Sequence, residues 1–171
     1  MPLPGKPLIS APRIQKRVRE LARSIASHYQ GKPLTVVGLM NGGLFFMVDV
    51  TRRLPPDTRI ECWKVGSYHG KKSTNRVIGL DGCEGDYHGR HVLLLDDILD
   101  TGRTLSETRE KLLQTGAVSV KTCVLLSKNA PRVRAVSADW VGFKIENHYV
   151  IGYGLDYRHR YRTLPMIRRL D

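Results

Sequence analysis

The chain has 171 residues, which suits one sizeable domain and is too short for two ordinary ones. Its hydrophobic fraction of 41% and charged fraction of 26% are typical of a globular protein, and no apolar stretch approaches the roughly 18 residues of a membrane span. The net charge of +12 permits a polyanionic small molecule, a nucleic acid or an acidic membrane as partner, and does not choose among them.

The chain end and the cysteines favour a cytosolic protein with one domain over residues 1–171. The first six residues lack the basic end, apolar core and small-residue cleavage site of a signal peptide. Cys62, Cys83 and Cys123 are odd in number and far apart, with no spacing typical of zinc ligands. We therefore expect them to be structural, with Cys62 and Cys123 acting as small hydrophobic residues in strands.

The first half of the chain alternates helical and strand patterns. Apolar residues recur at helical spacing behind Ser10 and Pro12 until Gly31, which predicts a helix over about 11–29. The elements predicted next are a strand over 34–39, a glycine turn over 40–43, a packed helix over 44–54, a strand over 60–65 and an exposed loop over 66–75.

The central stretch, residues 92–104, reads V-L-L-L-D-D-I-L-D-T-G-R-T. Its short apolar run is typical of a buried strand, with the carboxylates at its carboxyl end. Thr104 and Glu107 match a capping box, which predicts a helix over about 104–115 that ends at Gly116. Further strands are predicted over 118–124, continuing towards Lys128, and over 140–145 and 149–153.

This alternation predicts an α/β fold with a central parallel sheet flanked by helices. Ligands of such sheets lie at the carboxyl ends of the strands, near the point where the strand order reverses. Each polar or glycine-containing loop of interest follows a predicted strand. We therefore expect these loops to converge on one site.

The central stretch suits a phosphorylated sugar. Carboxylates such as Asp96 and Asp97 accept hydrogen bonds from ribose hydroxyls or hold Mg²⁺ through water. The loop over 100–104 offers successive N–H groups, two hydroxyls and a helix N-terminus, all suited to phosphate. The same acids also fit a capped loop with solvated carboxylates, so the motif alone leaves both interpretations open.

Five ordered segments resemble one family. The central stretch is similar to the phosphoribosyl diphosphate (PRPP) motif of type I phosphoribosyltransferases, and the other segments narrow the resemblance to the hypoxanthine-guanine branch. The other matching segments are M-N-G-G at 40–43, Ser67-Tyr68, L-L-S-K ending at Lys128 with W-V-G-F-K-I at 140–145, and Y-V-I-G-Y-G-L-D-Y at 149–157 followed by Tyr161-Arg162.

The resemblance implies a fold, an activity and partners. It implies the type I phosphoribosyltransferase fold, with a small hood formed by the chain ends. The implied reaction is purine salvage: a 6-oxopurine, hypoxanthine or guanine, displaces pyrophosphate from PRPP to give IMP or GMP, with Mg²⁺ as cofactor. It also implies a homodimer or homotetramer, and no membrane or nucleic-acid partner is expected.

The resemblance also assigns roles residue by residue. Asp100 is the expected general base at purine N7. The expected PRPP-binding residues are Asp96, Asp97, Thr101, Gly102, Arg103 and Thr104; those for pyrophosphate are Asn41, Gly42, Gly43, Ser67, Tyr68 and Arg162; those for the purine are Lys128, Tyr149, Val150 and Asp156; and those for magnesium are Asp96, Asp97 and Asp156.

One position departs from the family pattern. Many relatives have a basic residue where this chain has Asn41, whose side chain is neutral. Pyrophosphate binding at this loop would then depend more on backbone N–H groups. In keeping with the family, we predict a cis peptide bond between Met40 and Asn41.

Two other functions stay open at this point. A xanthine-preferring phosphoribosyltransferase is one, because Lys128 can recognise a 6-oxo group without fixing the 2-position of the purine. An RNA-binding regulator that resembles the pyrimidine-operon attenuators is the other, because such proteins carry a similar PRPP motif and the charge of +12 suits RNA. The purine-type segment at 149–157 argues against the regulator.

Overall fold

A computed structural model describes residues 3–67, 77–80 and 85–171 of the chain. Among these residues, no helix combines the length and the apolar character needed to cross a membrane. The elements are β1 (Lys6–Ile9), α1 (Ala11–His28), β2 (Leu34–Met40), α2 (Leu44–Thr51), β3 (Arg59–Lys64), β4 (Gly66–Ser67), β5 (Val77–Ile78), β6 (His91–Leu99), α3 (Arg103–Gln114), β7 (Ser119–Asn129), β8 (Trp140–Glu146), β9 (Val150–Ile151) and β10 (Ile167–Arg169).

The centre of the molecule is a five-stranded parallel sheet in the order β3-β2-β6-β7-β8. Both of its faces are covered, which explains the unbroken apolar run in β6. Leu93 packs in a core that includes α1 and α2, whereas Leu94 packs in a second core on the other side with α3. Neither side chain is exposed to solvent. The predicted α/β fold class is thus confirmed.

The chain ends form a separate small antiparallel sheet in the order β1-β10-β9, which we call the hood. Pro7 pairs with Arg168, and Arg168 pairs on its other side with Ile151. The Arg168 guanidinium also donates to the carbonyls of Pro4 at 2.7 Å and Gly5 at 2.6 Å. The expected hood is therefore present and ties both chain ends together.

The start of α3 differs from the predicted capping box. The helix begins at Arg103, and its N-cap is Gly102, so Thr104 lies within the first turn and no side chain caps the helix. The Glu107 carboxylate instead accepts a hydrogen bond from the Val77 backbone N–H at 3.1 Å. The capping-box prediction was wrong because a left-handed glycine took the N-cap position.

Other helices and strands begin or end at residues different from those predicted. Strand β6 continues through both carboxylates to Leu99, because β7 pairs with it as far as Ser127. Helix α2 ends at Thr51, three residues before the predicted end. Residues 66–67, predicted as loop, pair with β5 as strand β4. The remainder of that predicted loop, from residue 68 on, lies outside the described residues.

The predictions for the cysteines are confirmed only in part. Cys123 is buried in β7 as predicted, and burial raises the pKa of its thiol. Cys62 is exposed, so the prediction that it acts as a small hydrophobic residue within its strand was wrong. It lies on β3, an edge strand in which most side chains are exposed. Cys83 lies outside the described residues.

Candidate active site

The site lies where the connections of the sheet diverge. The chain passes from β2 through α2 to β3 in one direction, and from β6 through α3 to β7 in the other. Adjacent strands β2 and β6 therefore leave a crevice beyond their carboxyl ends. A cavity of about 800 Å³ opens there. Its lining residues are Leu39, Met40, Asn41, Gly42, Lys64, Val65, Asp96, Asp97, Ile98, Leu99, Asp100, Thr101, Gly102, Thr104, Leu105, Asp156, His159 and Arg162.

The adjacent acids of β6 form the floor of this cavity. Asp96 is buried and Asp97 is half-buried, and the Asp97 backbone N–H donates to the Asp96 carboxylate at 2.9 Å. Burial, together with the neighbouring Asp97 carboxylate, raises the pKa of Asp96 well above its ordinary value. Burial also raises the pKa of Asp97. Two acids held this close gain from hydroxyl donors or from a cation that neutralises them.

A tight loop joins β6 to α3 and matches the predicted phosphate-binding segment. Gly102 has φ of 81°, in the left-handed region, and a Cβ there would lie 2.6 Å from Val136 Cγ1. The Thr101 carbonyl accepts hydrogen bonds from Val133 N–H at 2.9 Å and Arg134 N–H at 3.3 Å. The loop is therefore fixed from behind, and Thr101, Gly102 and Thr104 line the cavity at the N-terminus of α3, a position that favours an anion.

The second loop, residues 40–43, connects β2 to α2 at the other side of the crevice. The peptide bond between Met40 and Asn41 is cis, as predicted. Gly42 packs against the acid pair so closely that a Cβ would lie 1.8 Å from Asp97 Oδ2. Gly43 is the N-cap of α2. Only glycine at position 42 permits this contact between the loop backbone and Asp97.

The segment after β9 covers the second loop. Gly154 lies directly over it, and a Cβ on Gly154 would come within 2.0 Å of the Gly42 carbonyl oxygen. Arg162 donates to the Gly154 carbonyl at 2.6 Å and forms an ion pair with Asp156 at 2.7 Å. The His159 backbone N–H donates to the other oxygen of Asp156 at 2.8 Å. Asp156 and Arg162 thus reach the cavity as one connected group.

Lys128 and Asp100 form an ion pair across the cavity edge. The Lys128 ammonium lies 2.9 Å from Asp100 Oδ2. Its side chain is 12% exposed and that of Asp100 is 46% exposed, so the carboxylate faces the open side. The carboxyl ends of β6 and β7 bring the two residues together, 28 positions apart in the chain. This arrangement presents a proton acceptor next to a fixed hydrogen-bond donor.

The remaining predicted purine residues lie beside the cavity rather than in its lining. Tyr149 is 52% exposed, and its hydroxyl donates to the Asp156 carbonyl at 3.3 Å. Its ring meets that of Tyr157 edge to face, with centroids 5.8 Å apart. Val150 is buried in the hood, where it pairs with Arg169. The Tyr149 ring is therefore accessible to a planar ligand.

The structure brings most of the predicted residues to one place. Ten of them line the cavity, and Lys128 joins through its ion pair. Ser67 lies in β4, and Tyr68 lies outside the described residues. Two charged or titratable lining residues, Lys64 and His159, were missed. Lys64 lies near the carboxyl end of the strand predicted over 60–65, where site residues of such a sheet gather, and that position was the signal that could have identified it.

Comparison with known proteins agrees with this geometry. Residues 7–158 match the sequence profile of the phosphoribosyl transferase domain. A hypoxanthine-guanine phosphoribosyltransferase of Streptococcus pneumoniae is 37% identical over 163 residues, covering 95% of this chain and 91% of that protein. The chain belongs to the hypoxanthine-guanine phosphoribosyltransferase family. Another relative in this family, the hypoxanthine phosphoribosyltransferase of Haemophilus influenzae, is 38% identical over 95% of this chain and 93% of its own length.

Solved structures of phosphoribosyltransferases share the fold. A hypoxanthine phosphoribosyltransferase from Staphylococcus aureus has a TM-score of 0.89 and 37% identity, covering 97% of this chain and 91% of that one. The enzyme from Trypanosoma cruzi, in complex with the product IMP, has a TM-score of 0.87 and 36% identity, covering 97% and 94%. The chain also matches bifunctional TilS/HprT proteins of Listeria at 40% identity, and spans 25% of their length.

Proposed function

We propose that the protein is a purine-salvage enzyme that transfers the 5-phosphoribosyl group from PRPP to hypoxanthine and guanine. The products are IMP or GMP and pyrophosphate. One observation carries this proposal: a single cavity joins the acid pair, the phosphate-type loop and Asp100, which is paired with Lys128. Acids for a ribose, N–H groups for a phosphate and a donor–acceptor pair for a base fit the three parts of a nucleotide.

PRPP binds along the carboxyl edge of the sheet in this proposal. Its 5′-phosphate lies against the N–H groups and hydroxyls of residues 101–104, next to the N-terminus of α3. Its ribose hydroxyls donate to Asp96 and Asp97. Its pyrophosphate group lies at the backbone of residues 41–43, near Arg162, whose planar guanidinium suits phosphate oxygens. The family resemblance adds Ser67 and Tyr68 to the pyrophosphate-binding residues, with a role in excluding water from the site.

The donor set fits magnesium. Magnesium prefers oxygen ligands, keeps several waters and is typically bound by one or two carboxylates together with substrate phosphates. Asp96 and Asp97 supply carboxylates on one side of the cavity and Asp156 supplies one on the other. In the described part of the chain, no three acidic, histidine or cysteine side chains gather into a complete metal cage. Magnesium, when bound, would neutralise the phosphates of PRPP and polarise the departing pyrophosphate.

The purine binds between Lys128 and Tyr149. Lys128 donates to the 6-oxo group and has donors to spare for Asp100. Tyr149 stacks on the ring, and the Val150 backbone reads the ring edge. Purine N9 forms a bond to ribose C1′ as the bond from C1′ to pyrophosphate breaks, and Asp100 accepts the proton from N7. A carboxylate in this place also stabilises the positive charge that develops on the ribose.

The test is an ultraviolet assay with PRPP, Mg²⁺ and each of hypoxanthine, guanine, xanthine and adenine. We expect turnover with hypoxanthine and guanine, and little with adenine, because adenine carries no 6-oxo acceptor for Lys128. No turnover with any 6-oxopurine would overturn the proposal. A rate with xanthine above the other two would instead identify the xanthine-preferring alternative.

The assembly that we propose is a cytosolic homodimer or homotetramer. Apolar side chains remain exposed on α2 and on the edge strand β3, namely Leu44, Phe45 and Ile60. Such residues are typical of surfaces that are covered in an assembly. Light scattering in solution measures the mass directly, and an active monomer would contradict this part of the proposal.

A further inference from the structure

Negative charge dominates the side chains that line the cavity. Four carboxylates line it, while PRPP brings a 5′-phosphate and a pyrophosphate of its own. Among the described residues, only two lining side chains carry a full positive charge. The lining carboxylates are Asp96, Asp97, Asp100 and Asp156, and the lining cations are Lys64 and Arg162.

These two cations differ in the hydrogen bonds and ion pairs that they make with other residues. Arg162 is held by the Asp156 carboxylate at 2.7 Å and by the Gly154 carbonyl at 2.6 Å. The Lys64 side chain is exposed, and no hydrogen bond or ion pair links its ammonium to another described residue. Lys64 is thus the lining cation whose charge is available to a ligand.

The strand register places Lys64 next to the pyrophosphate loop. Lys64 is the last residue of β3 and pairs in parallel register with Met40, the last residue of β2. Neighbouring strands lie about 4.8 Å apart. The preceding residue, Trp63, is buried, so the alternation of the strand turns Lys64 away from the core. Its side chain therefore projects beside the loop that begins at Asn41.

We propose that Lys64 binds the pyrophosphate group of PRPP and supplies the positive charge that the neutral Asn41 side chain lacks. This inference rests on the proposed function, which places the pyrophosphate at residues 41–43. A lysine ammonium is a compact point charge on a flexible stem and binds phosphate oxygens without a fixed angular requirement. The charge thus comes from the neighbouring strand instead of from the loop itself.

Lys64→Gln tests the inference, with Arg59→Gln as its matched control. Arg59 is an exposed cation on the same strand, at the opposite end, so its removal changes the net charge equally without touching the cavity. We expect Lys64→Gln to raise the KM for PRPP and the Kd for magnesium pyrophosphate about tenfold. The KM for hypoxanthine and the Kd for IMP should stay within about twofold, because neither molecule contains pyrophosphate.

Moving the charge back to the loop sharpens the test. In the double variant with Asn41→Lys added to Lys64→Gln, the new ammonium would reach the same group, and most of the lost pyrophosphate affinity should return. Lys64→Arg should keep it. A double variant as weak as Lys64→Gln alone would contradict the shared role of the two positions.

Calorimetry with pyrophosphate separates this inference from the proposed function. If the wild type turns over 6-oxopurines while Lys64→Gln binds pyrophosphate as the wild type does, the role of Lys64 is wrong and the function stands. If the wild type turns over no purine while Lys64→Gln alone weakens pyrophosphate binding, the role of Lys64 stands and the function fails. An equal loss of IMP and pyrophosphate binding would overturn the specific role of Lys64.

Discussion

The two walls of the cavity are built in different ways. The sheet wall, made by the carboxyl ends of β2 and β6 with the loops at 40–43 and 100–104, extends from strands of seven and nine residues buried on both faces. The hood wall, residues 149–162, contains a strand of only two residues. It also contains four residues other than glycine with positive φ, namely Tyr153, Arg158, His159 and Tyr161.

Because of this difference, the sheet wall holds its side chains rigidly, whereas the hood wall contains a stretch that can adjust. Asp96 and Asp97 are fixed by the sheet before any ligand binds, which suits residues that must meet a ribose with little reorganisation. The hood wall is buried over residues 150–155, where the Tyr153 hydroxyl donates to Asp49 at 2.5 Å, and exposed over residues 157–160. An exposed stretch has a low cost of local opening, as a cover over a binding site requires.

The largest expected effect concerns Asp100, on the sheet wall. Asp100→Asn keeps the shape of the side chain but removes its ability to accept a full proton, so kcat should fall by a factor of about 10² to 10³. The KM for PRPP should change less than about threefold, because the other acids still hold the ribose. Steady-state kinetics with hypoxanthine measures both. If the KM for PRPP rose by as large a factor as kcat fell, Asp100 would act in PRPP binding and not specifically in proton transfer.

Gly102→Ala should displace the loop at 100–104 in the sheet wall. The added Cβ would meet Val136 Cγ1 at 2.6 Å and the Arg134 carbonyl at 2.9 Å, at a φ of 81°. We expect kcat/KM for PRPP to fall about 30-fold and the free energy of unfolding to fall by about 2 kcal/mol.

Gly31→Ala is the control for that variant. Gly31 has a similar φ of 71°, but an added Cβ there meets nothing within 4 Å. It should lose only about 1 kcal/mol of stability and no activity. A matching loss of activity in both variants would mean that strain, and not displacement of the phosphate loop, explains the effect.

The difference between local patterns and long-range contacts explains what could be predicted from the sequence. The apolar run before Asp96 and the glycines at 42 and 43 are local signals, and they located the parallel sheet and its loops. The pairing of Lys128 with Asp100 depends on two strands 28 residues apart, and the contact of Gly154 with Gly42 depends on how the hood folds back. Such contacts have no local pattern, so neither of them was predicted from the sequence.

Capping at α3 shows how a local signal can mislead. Thr104 and Glu107 have the spacing of a capping box, yet the preceding glycine adopts the left-handed conformation and starts the helix earlier. The Glu107 carboxylate then bonds to Val77 across 30 residues. A tertiary contact of this kind overrides a local preference worth only about 1 kcal/mol.

Tyr153→Phe tests how much one hydrogen bond contributes to holding the buried part of the hood wall. Among the described residues, removing the hydroxyl leaves the Asp49 carboxylate with the Gln15 amide at 2.6 Å as its hydrogen-bond donor, and the free energy of unfolding should fall by about 1 to 1.5 kcal/mol. Hydrogen exchange should speed up at residues 150–154 and stay slow in β6. Purine KM should rise a few fold without a change for PRPP.

Tyr29→Phe is the matched control for the hood variant. The Tyr29 hydroxyl is buried too, but it has no hydrogen-bond partner among the described residues. Its removal should leave stability unchanged or slightly raised, because it relieves an unsatisfied group. Equal destabilisation by the two variants would show that the Tyr153 hydrogen bond is not what holds the hood.

The smallest expected effect compares Asp139, which directly precedes β8 of the sheet, with Asp171, which follows β10 of the hood. Burial opposes ionisation of Asp139, but hydrogen bonds from the Lys121 ammonium and the Thr122 N–H outweigh it and lower the pKa of Asp139. A pKa lower in the folded than in the unfolded state stabilises the fold above about pH 4, and this contribution is lost as the pH falls through the folded pKa. Asp139→Asn should therefore lower the free energy of unfolding by about 0.5 to 1 kcal/mol at pH 7 and flatten the acid-unfolding profile below pH 4.

Asp171→Asn is the control. A hydrogen bond from His148 also lowers the pKa of Asp171, but solvent screens that pair, and Asp171→Asn should leave the acid-unfolding profile unchanged. An acid profile that responds to Asp171→Asn and not to Asp139→Asn would show that the acid-sensitive contact lies beside the hood and not beside the five-stranded sheet.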